Sequence, residues 1–131
     1  MADPNGDWTP PISQSQATIA TLNDAFRHAL HTPGHNRVVM TAGVADLIGD
    51  TSLFRGFQRR AELLRTVRDY DAFGSDFDPY GERDFGRFEF AGESLYWKID
   101  YYDRDLAYGS PDPADPALTT RVLTILLTHE Y

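Results

Sequence analysis

Alternating apolar and polar residues on either side of one glycine constrain the fold of this chain more than any other feature. With Gly92-Glu93 as a two-residue turn, the alternation predicts a β-hairpin over about 85–102. In this register the opposed pairs are Phe90 with Leu95, Phe88 with Trp97, and Gly86 with Ile99.

The two faces of the predicted hairpin differ in composition. One face holds Phe88, Phe90, Leu95, Trp97, Ile99 and Tyr101. The other holds Arg87, Glu89, Tyr96, Lys98, Asp100 and Tyr102. Because successive strand side chains point to opposite sides, we expect the first face to pack on a core and the second to meet water or a partner.

Helical spacing marks a first helix near the start of the chain. Ser13 is expected to cap it, with Gln16 three residues later and Ile12 packing on Ala17. Thr32-Pro33-Gly34 ends it. Its apolar face consists of Ile19, Leu22, Phe26, Ala29 and Leu30.

A short strand and a second helix are predicted next. The strand covers 37–41 and Gly43 ends it, after which Asp50-Thr51-Ser52 offers a second cap. The helix covers about 53–73 and carries arginines on its outer side. Its expected buried face is Phe54, Phe57, Ala61, Leu64 and Val67.

The last element, over about 116–129, is ambiguous. Asp115-Pro116 is typical of a helix start, which favours a helix. The many β-branched residues that follow favour a strand instead. The helix gives an α+β fold with the order α-β-α-β-β-α, in which the hairpin and the 37–41 strand form a small antiparallel sheet packed on helices.

Length and composition are consistent with a single domain. The chain has 131 residues and no cysteine, which excludes disulfides, thiolate catalysis and cysteine-ligated zinc. We expect an irregular arm over 1–11 followed by one domain over 12–131. No apolar run is long enough to span a membrane, so a soluble cytoplasmic protein is expected.

The negative charge is concentrated in the middle of the chain. The whole chain carries a formal charge of -8, yet residues 69–115 alone carry thirteen acids and four basic residues. Such asymmetry indicates a functional surface or a simple need for solubility. It argues against nucleic acid as a direct partner, because phosphate contacts need Lys and Arg.

Three weak patterns for metal chemistry fail on spacing. His28, His31 and His35 lack further ligands nearby and suit a helix C-terminus instead. The acids from Asp76 to Glu82 do not match a calcium loop. A nuclease-like order of Asp84, Glu93 and Lys98 has Tyr96 where a carboxylate is needed. We therefore predict no metal, no cofactor and no identified catalytic residue.

Acidic and tyrosine side chains gather around the hairpin. We name this set the acidic-aromatic surface and predict that it binds protein. Its members are Asp78, Tyr80, Glu82, Asp84, Asp100, Tyr102, Asp103 and Asp105. Tyrosine supplies contact area and carboxylates pair with Arg or Lys. Turn formation alone explains Asp76, Asp78, Asp112 and Asp115 equally well.

Several stretches resemble a family of small alphaproteobacterial proteins of unknown function. The resemblance covers roughly residues 18–131 and is most specific in the second half. The stretches are 22–26 (LNDAF), 78–82 (DPYGE), 84–86 (DFG), 97–103 (WKIDYYD), 112–116 (DPADP), 121–125 (RVLTI) and the final Glu130-Tyr131. The resemblance implies a setting among accessory genes of conjugative plasmids and other mobile elements, and no assigned activity.

Two functions are compatible with these features. The favoured one is a non-enzymatic binding protein whose acidic face occupies a basic, nucleic-acid-binding surface of a host defence or plasmid-processing protein, as an anti-restriction or anti-CRISPR-like inhibitor would. The alternative is a small metal-dependent hydrolase or nuclease that uses the acidic cluster. A metal site would shift the melting midpoint on addition of EDTA or divalent ions, whereas a binding face would not.

Overall fold

Three helices and a four-stranded sheet make up the computed structural model, which describes residues 13–74 and 78–131. The elements are α1 (Gln14–Arg27), β1 (Arg37–Met40), α2 (Ala42–Ile48), α3 (Phe54–Arg68), β2 (Phe85–Phe90), β3 (Glu93–Tyr102) and β4 (Thr120–Leu127). The expected α+β class is confirmed, with helices packed on a small sheet. The predicted arm over 1–11, and Ile12, lie outside the described residues.

The sheet has the order β1-β4-β3-β2. β2 pairs with β3, and β3 with β4, in antiparallel fashion. β1 pairs with β4 in parallel, so the sheet is mixed and not antiparallel throughout as expected. The parallel pair arises because α2, α3 and the hairpin intervene before the chain returns beside β1.

The last element is a strand, and the predicted helix over 116–129 is wrong. Asp115 does cap a first turn, since its side chain accepts a hydrogen bond from the Ala117 N–H, but this 3₁₀ turn covers only Pro116–Leu118. β4 then hydrogen-bonds to β1 on one side and to β3 on the other. Asp115-Pro116 therefore starts only this single turn. The β-branched residues that follow it favour the strand that forms.

The hairpin is present, but its turn lies one residue earlier than predicted. Ala91 and Gly92 occupy the turn with φ of 51° and 80°, as a type I′ turn requires. The observed pairs are Phe90 with Glu93, Phe88 with Leu95, and Gly86 with Trp97. This shifts the predicted pairing by two residues. Because side chains alternate with a period of two, every residue keeps its predicted face.

The core lies between the helices and one face of the sheet. The sheet contributes Leu95, Trp97, Ile99, Leu123, Ile125 and Leu127, and the helical side contributes Phe26, Leu30, Val44, Ile48, Leu63 and Val67. Gly86 permits the close approach of Trp97, since a Cβ at Gly86 would lie 2.3 Å from the indole Nε1. The described α-helices pack on this face. The opposite face, called the open face, carries the partly exposed Asp100 and Tyr102, and Tyr131 packs on Tyr96 there.

The helix boundaries confirm one predicted cap and correct another. At α1, Ser13 Oγ accepts from the Gln16 N–H at 3.0 Å, and Gln16 Oε1 accepts from the Ser13 N–H at 3.0 Å, as expected. The predicted cap over 50–52 does not form. Asp50 accepts instead from the Ser52 N–H at 2.9 Å, and α3 begins after Leu53 without a side-chain cap.

α2 has no counterpart in the sequence prediction, which ended the strand at Gly43 and placed no helix there. Thr41 caps α2, and Glu130 holds the same turn by accepting from Thr41 Oγ1 at 2.6 Å and from the Gly43 N–H at 3.1 Å. These hydrogen bonds hold the pKa of the Glu130 carboxyl below its usual range. The helix is therefore stabilised by a residue almost ninety positions later in the sequence, so the local sequence pattern does not predict it.

α3 is shorter than predicted, and of its predicted buried face only Val67 is fully buried. The buried positions are Gly56, Leu63 and Val67. Phe54 and Phe57, predicted to be buried, are 79% and 61% exposed. Gly56 fits because its Cα approaches the Asp50 carbonyl so closely that a Cβ would lie 2.1 Å from that oxygen. The orientation of α3 about its own axis therefore requires glycine at this close contact, which hydrophobic periodicity does not predict.

No helix in the described part of the chain is long and apolar enough to cross a membrane.

Candidate functional site

The structure divides the acidic-aromatic surface between the two faces of the hairpin. Glu82 and Asp84 approach the hydroxyl of Tyr101, which lies on the helix-covered face. Asp100 and Tyr102 lie on the open face, because they alternate with Tyr101 along β3. The alternation of strand side chains explains the division, since Asp84 continues the inner face of β2 and Asp100 belongs to the outer face of β3. The Ile99 N–H donates to the Asp84 carbonyl at 2.8 Å, so Asp84 lies opposite Ile99, whereas the predicted register, with Gly86 opposite Ile99, would place it two residues further along β3.

Glu82 and Asp84 form a carboxyl pair around one hydroxyl group. Glu82 Oε2 lies 3.3 Å from the Tyr101 hydroxyl oxygen, and Asp84 Oδ2 lies 3.4 Å from it. The same hydroxyl accepts a hydrogen bond from Asn23 Nδ2 at 2.8 Å. A hydroxyl has one proton to donate, so it can satisfy only one of the two carboxyl groups at a time.

The environment of this pair opposes the negative charge on Asp84. Partial burial, followed by repulsion from Glu82, raises the pKa of the Asp84 carboxyl to about 6. Burial, followed by the charge of Asp84, also raises the pKa of Tyr101. Within the described residues, ion pairs form on Asp24, Asp69 and Asp100, and none forms on Glu82 or Asp84. The pair therefore has no direct ion pair in the described residues, and the charge of the Arg121 guanidinium attracts Glu82.

Replacing Asp84 with asparagine is expected to raise the melting midpoint at neutral pH. The ordinary pKa of 3.8 rises to about 6 on folding, so the folded chain holds this proton more tightly than the unfolded chain. The stability that Asp84 contributes is present at low pH and is lost as the pH rises through about 6. Asparagine cannot ionise, so the variant should gain most above that pH.

Thermal melts of both proteins between about pH 4 and about pH 8 measure this effect. Asp46→Asn, at an exposed position of α2, is the matched control. Parallel pH profiles for wild type and Asp84→Asn would show that burial of the carboxyl has no energetic consequence.

A buried polar cluster of Asn23, Tyr101 and Arg121 is hydrogen-bonded to the carboxyl pair and its backbone. Asn23, which is fully buried, donates to the Glu82 carbonyl at 3.0 Å as well as to the Tyr101 hydroxyl. Arg121, 3% exposed, donates from Nε to Asn23 Oδ1 at 2.8 Å and from Nη2 to the Pro113 carbonyl. Its guanidinium also lies 5.3 Å from the centre of the Tyr101 ring. Burial lowers the pKa of Arg121.

The sequence analysis missed this cluster of Asn23, Tyr101 and Arg121. Asn23 belongs to α1, and Arg121 to the strand that was predicted as a helix, so the two are 98 positions apart. An asparagine among the apolar positions of a helix, and an arginine beside a run of leucine and isoleucine, were the available signals. Each is a buried polar residue in need of a partner.

Four acidic residues form the turns of their own loops. Asp78 accepts from the Arg83 N–H, Asp112 from the Ala114 N–H, and Asp115 from the Ala117 N–H. The turn-forming role of these three is therefore confirmed, whereas Asp76 lies outside the described residues. Asp103 has the same role, because its side chain accepts from the Ala107 N–H at 2.9 Å.

The open face and its adjoining loops carry the other predicted residues. Asp100 pairs with Lys98 at 2.5 Å, which neutralises part of its charge. Tyr102 is 37% exposed and Tyr80 is 68% exposed. Asp105 is exposed in the loop after β3. The structure therefore brings Asp100 and Tyr102 together on one face and Glu82 and Asp84 together on the other, at the same end of the hairpin.

A sequence profile described as "Protein of unknown function (DUF3768)" matches residues 40–130. This is more than half of the chain. The chain belongs to the DUF3768 family. No curated protein and no solved structure matches it. The DUF3768 match includes the carboxyl pair, Tyr101 and Arg121, but α1 and therefore Asn23 lie outside it.

The histidines of this DUF3768 protein lie apart from the carboxyl pair. His35 Nε2 lies 3.0 Å from the Thr119 carbonyl oxygen, and His28 and His31 are exposed. Within residues 13–74 and 78–131, no three His, Asp or Glu side chains are arranged to hold a metal ion. The chemistry that the described site offers is therefore that of carboxyl and phenol groups.

Proposed function

We propose that this DUF3768 protein is a non-enzymatic binding protein whose acidic-aromatic surface occupies a basic surface of another protein. The carboxyl pair of Glu82 and Asp84, on which no ion pair forms within the described residues, carries the proposal. Two nearby carboxylates without a directly paired cation repel each other, and the repulsion grows as solvent is excluded. A partner's Arg or Lys placed against them supplies a directly paired positive charge and removes that cost on binding.

Exposed tyrosines at the same end of the hairpin suit the same role. Tyr80 and Tyr102 present exposed rings beside carboxylates, and Tyr108, 77% exposed, adds a third. Aromatic rings give contact area with little loss of conformational entropy. Carboxylates and rings together imitate the phosphates and stacked bases of a nucleic acid, so a nucleic-acid-binding surface is the basic surface that fits.

The family resemblance suggests where such a partner is found. A setting among accessory genes of alphaproteobacterial plasmids makes a cytoplasmic host defence or plasmid-processing protein the proposed target. The protein would then act as an anti-restriction or anti-CRISPR-like inhibitor. The alternative of a metal-dependent hydrolase needs a set of ligands, and the described residues do not assemble one.

Capture of partners from a host lysate tests the proposal, with mass spectrometry as the readout. The wild-type protein should retain nucleic-acid-binding proteins at low salt and release them as the salt concentration rises, because screening limits the attraction to about 8 Å at about 0.15 M. Double-stranded DNA added as competitor should displace the same proteins.

Two charge variants locate the binding surface. Asp100→Lys with Asp105→Lys should abolish capture, and Glu82→Gln with Asp84→Asn should weaken it. Asp103 is spared because its side chain supports the loop. Asp46→Lys with Glu62→Lys, both at exposed helical positions, changes the net charge by the same amount as Asp100→Lys with Asp105→Lys. This control should leave capture intact. If the surface variants fold and retain the same partners at the same salt, the proposal is wrong.

A further inference from the structure

α3 carries two apolar stripes, and the described chain covers the second of them only in part. Gly56, Leu63 and Val67 face the core. Phe54, Phe57, Ala61 and Leu64 recur at helical spacing on a second stripe, about a third of a turn away. Phe54 and Phe57 on this stripe are 79% and 61% exposed, and the adjacent Leu53 is 62% exposed. Large apolar side chains grouped on one exposed face are typical of an interaction site.

The second stripe forms one wall of a groove. The groove lies between α3 and the turn that follows α1, and its volume is about 300 Å³. Leu30, Phe57, Ala61 and Leu64 supply apolar lining. This volume is at the lower end of the range for small-molecule sites, which suits the anchoring side chains of a peptide.

The charges that line the groove have one sign. Arg60, Arg65 and Arg68 line it together with His31, and no acidic residue is part of its lining. Arg68 pairs with Asp69 at 2.8 Å. Arg60 and Arg65 make no side-chain hydrogen bond or ion pair with any residue in the described ranges. Two guanidinium groups that have no partner in the described ranges therefore flank an apolar floor on a protein whose overall charge is -8.

We propose that this groove binds an acidic amphipathic helix of a partner protein. Apolar side chains at i, i+3 or i+4, and i+7 of that helix would fill the floor, and its Asp or Glu residues would pair with Arg60 and Arg65. The apolar floor distinguishes this occupant from a nucleic acid, whose phosphates need cations along the backbone. This surface is separate from the carboxyl pair and is proposed in addition to it.

A randomised peptide library of about 16 residues, which gives about four helical turns, is the probe. The library is displayed, and binders are selected against the whole chain. The expected consensus has apolar residues spaced by three or four and Asp or Glu between them. The affinity of a selected peptide is then measured by fluorescence anisotropy. It should fall at least about tenfold in Phe57→Ser and in Arg60→Gln with Arg65→Gln.

Matched controls separate this surface from the other one. Arg55→Gln with Arg87→Gln removes the same charge outside the groove, and Glu82→Gln with Asp84→Asn alters the carboxyl pair. Both should leave peptide affinity unchanged. Circular dichroism confirms that every variant is folded. If the acidic surface captures no partner from the lysate, peptide binding to the groove is still expected. If no peptide binds the groove, capture by the acidic surface is still expected.

Several results would overturn the proposal. One is a selection that yields no binder, or only basic or uncharged peptides. Another is a binder that the groove variants do not affect. A third is a single-stranded oligonucleotide that binds the wild type and is lost in Arg60→Gln with Arg65→Gln, since that would make the groove a nucleic-acid surface. Self-association that Phe57→Ser abolishes would assign the groove to a second copy of this chain.

Discussion

Replacing Trp97 with alanine is expected to lower the free energy of unfolding by about 3–5 kcal/mol. The indole is fully buried at the centre of β3. Tyr70 and Phe73 pack edge-on against it, with ring centroids 5.5 Å and 6.0 Å away, and the Arg27 guanidinium lies 5.4 Å from it. Loss of the ring removes these contacts and leaves a cavity that the surrounding helices and strands cannot fill completely.

Urea titration followed by circular dichroism measures this loss, because fluorescence would report on the residue that is changed. Tyr102→Ala is the control. It removes a ring from the same strand on the open face and should cost less than about 1 kcal/mol. Equal effects of the two substitutions would contradict the assignment of the inner face of the hairpin.

The hairpin could be predicted because its information is local. Alternation along Phe88, Phe90, Leu95, Trp97 and Ile99 determines which side chains face the core, and an error of two residues in pairing does not alter that. The turn itself was misplaced because Ala91 adopts a positive φ, which is uncommon for residues other than glycine. Sequence pattern therefore determined the faces, and backbone conformation determined the register.

Elements that depend on distant partners could not be predicted in the same way. β4 is a strand because β1 and β3 hydrogen-bond to both of its edges, although Asp115-Pro116 resembles the start of a helix. α2 depends on Glu130 from the end of the chain. In each case a tertiary contact overrides a local preference.

The candidate site was predicted in composition and not in arrangement. The acids and tyrosines around the hairpin were identified, but their division between two faces, which the alternation of side chains along β2 and β3 implies, was not. Asn23 and Arg121 were not identified as site residues, although both lie in stretches that carry the family resemblance. Their role becomes visible only when α1 and β4 are placed side by side.

Replacing Asn23 with alanine is expected to lower the free energy of unfolding by about 3 kcal/mol or more. The Asn23 amide makes three hydrogen bonds, to Arg121 Nε at 2.8 Å, to the Tyr101 hydroxyl at 2.8 Å and to the Glu82 carbonyl at 3.0 Å. Alanine restores none of them. Buried polar groups left without a partner each cost about 1–3 kcal/mol, and the better helix propensity of alanine offsets only a few tenths of that.

Thr21→Ala, at an exposed position two residues earlier on α1, is the control for Asn23→Ala and should change the stability by less than about 0.5 kcal/mol. Asn23→Asp distinguishes loss of volume from loss of donors. Aspartate preserves the shape and can still accept from Arg121, but it cannot donate to Tyr101 or to Glu82, and it places a third carboxylate beside the carboxyl pair. It should therefore also destabilise the protein, and more so at neutral than at acidic pH. Wild-type stability in both Asn23 variants, measured by urea titration, would show that the polar cluster does not hold the carboxyl pair in place.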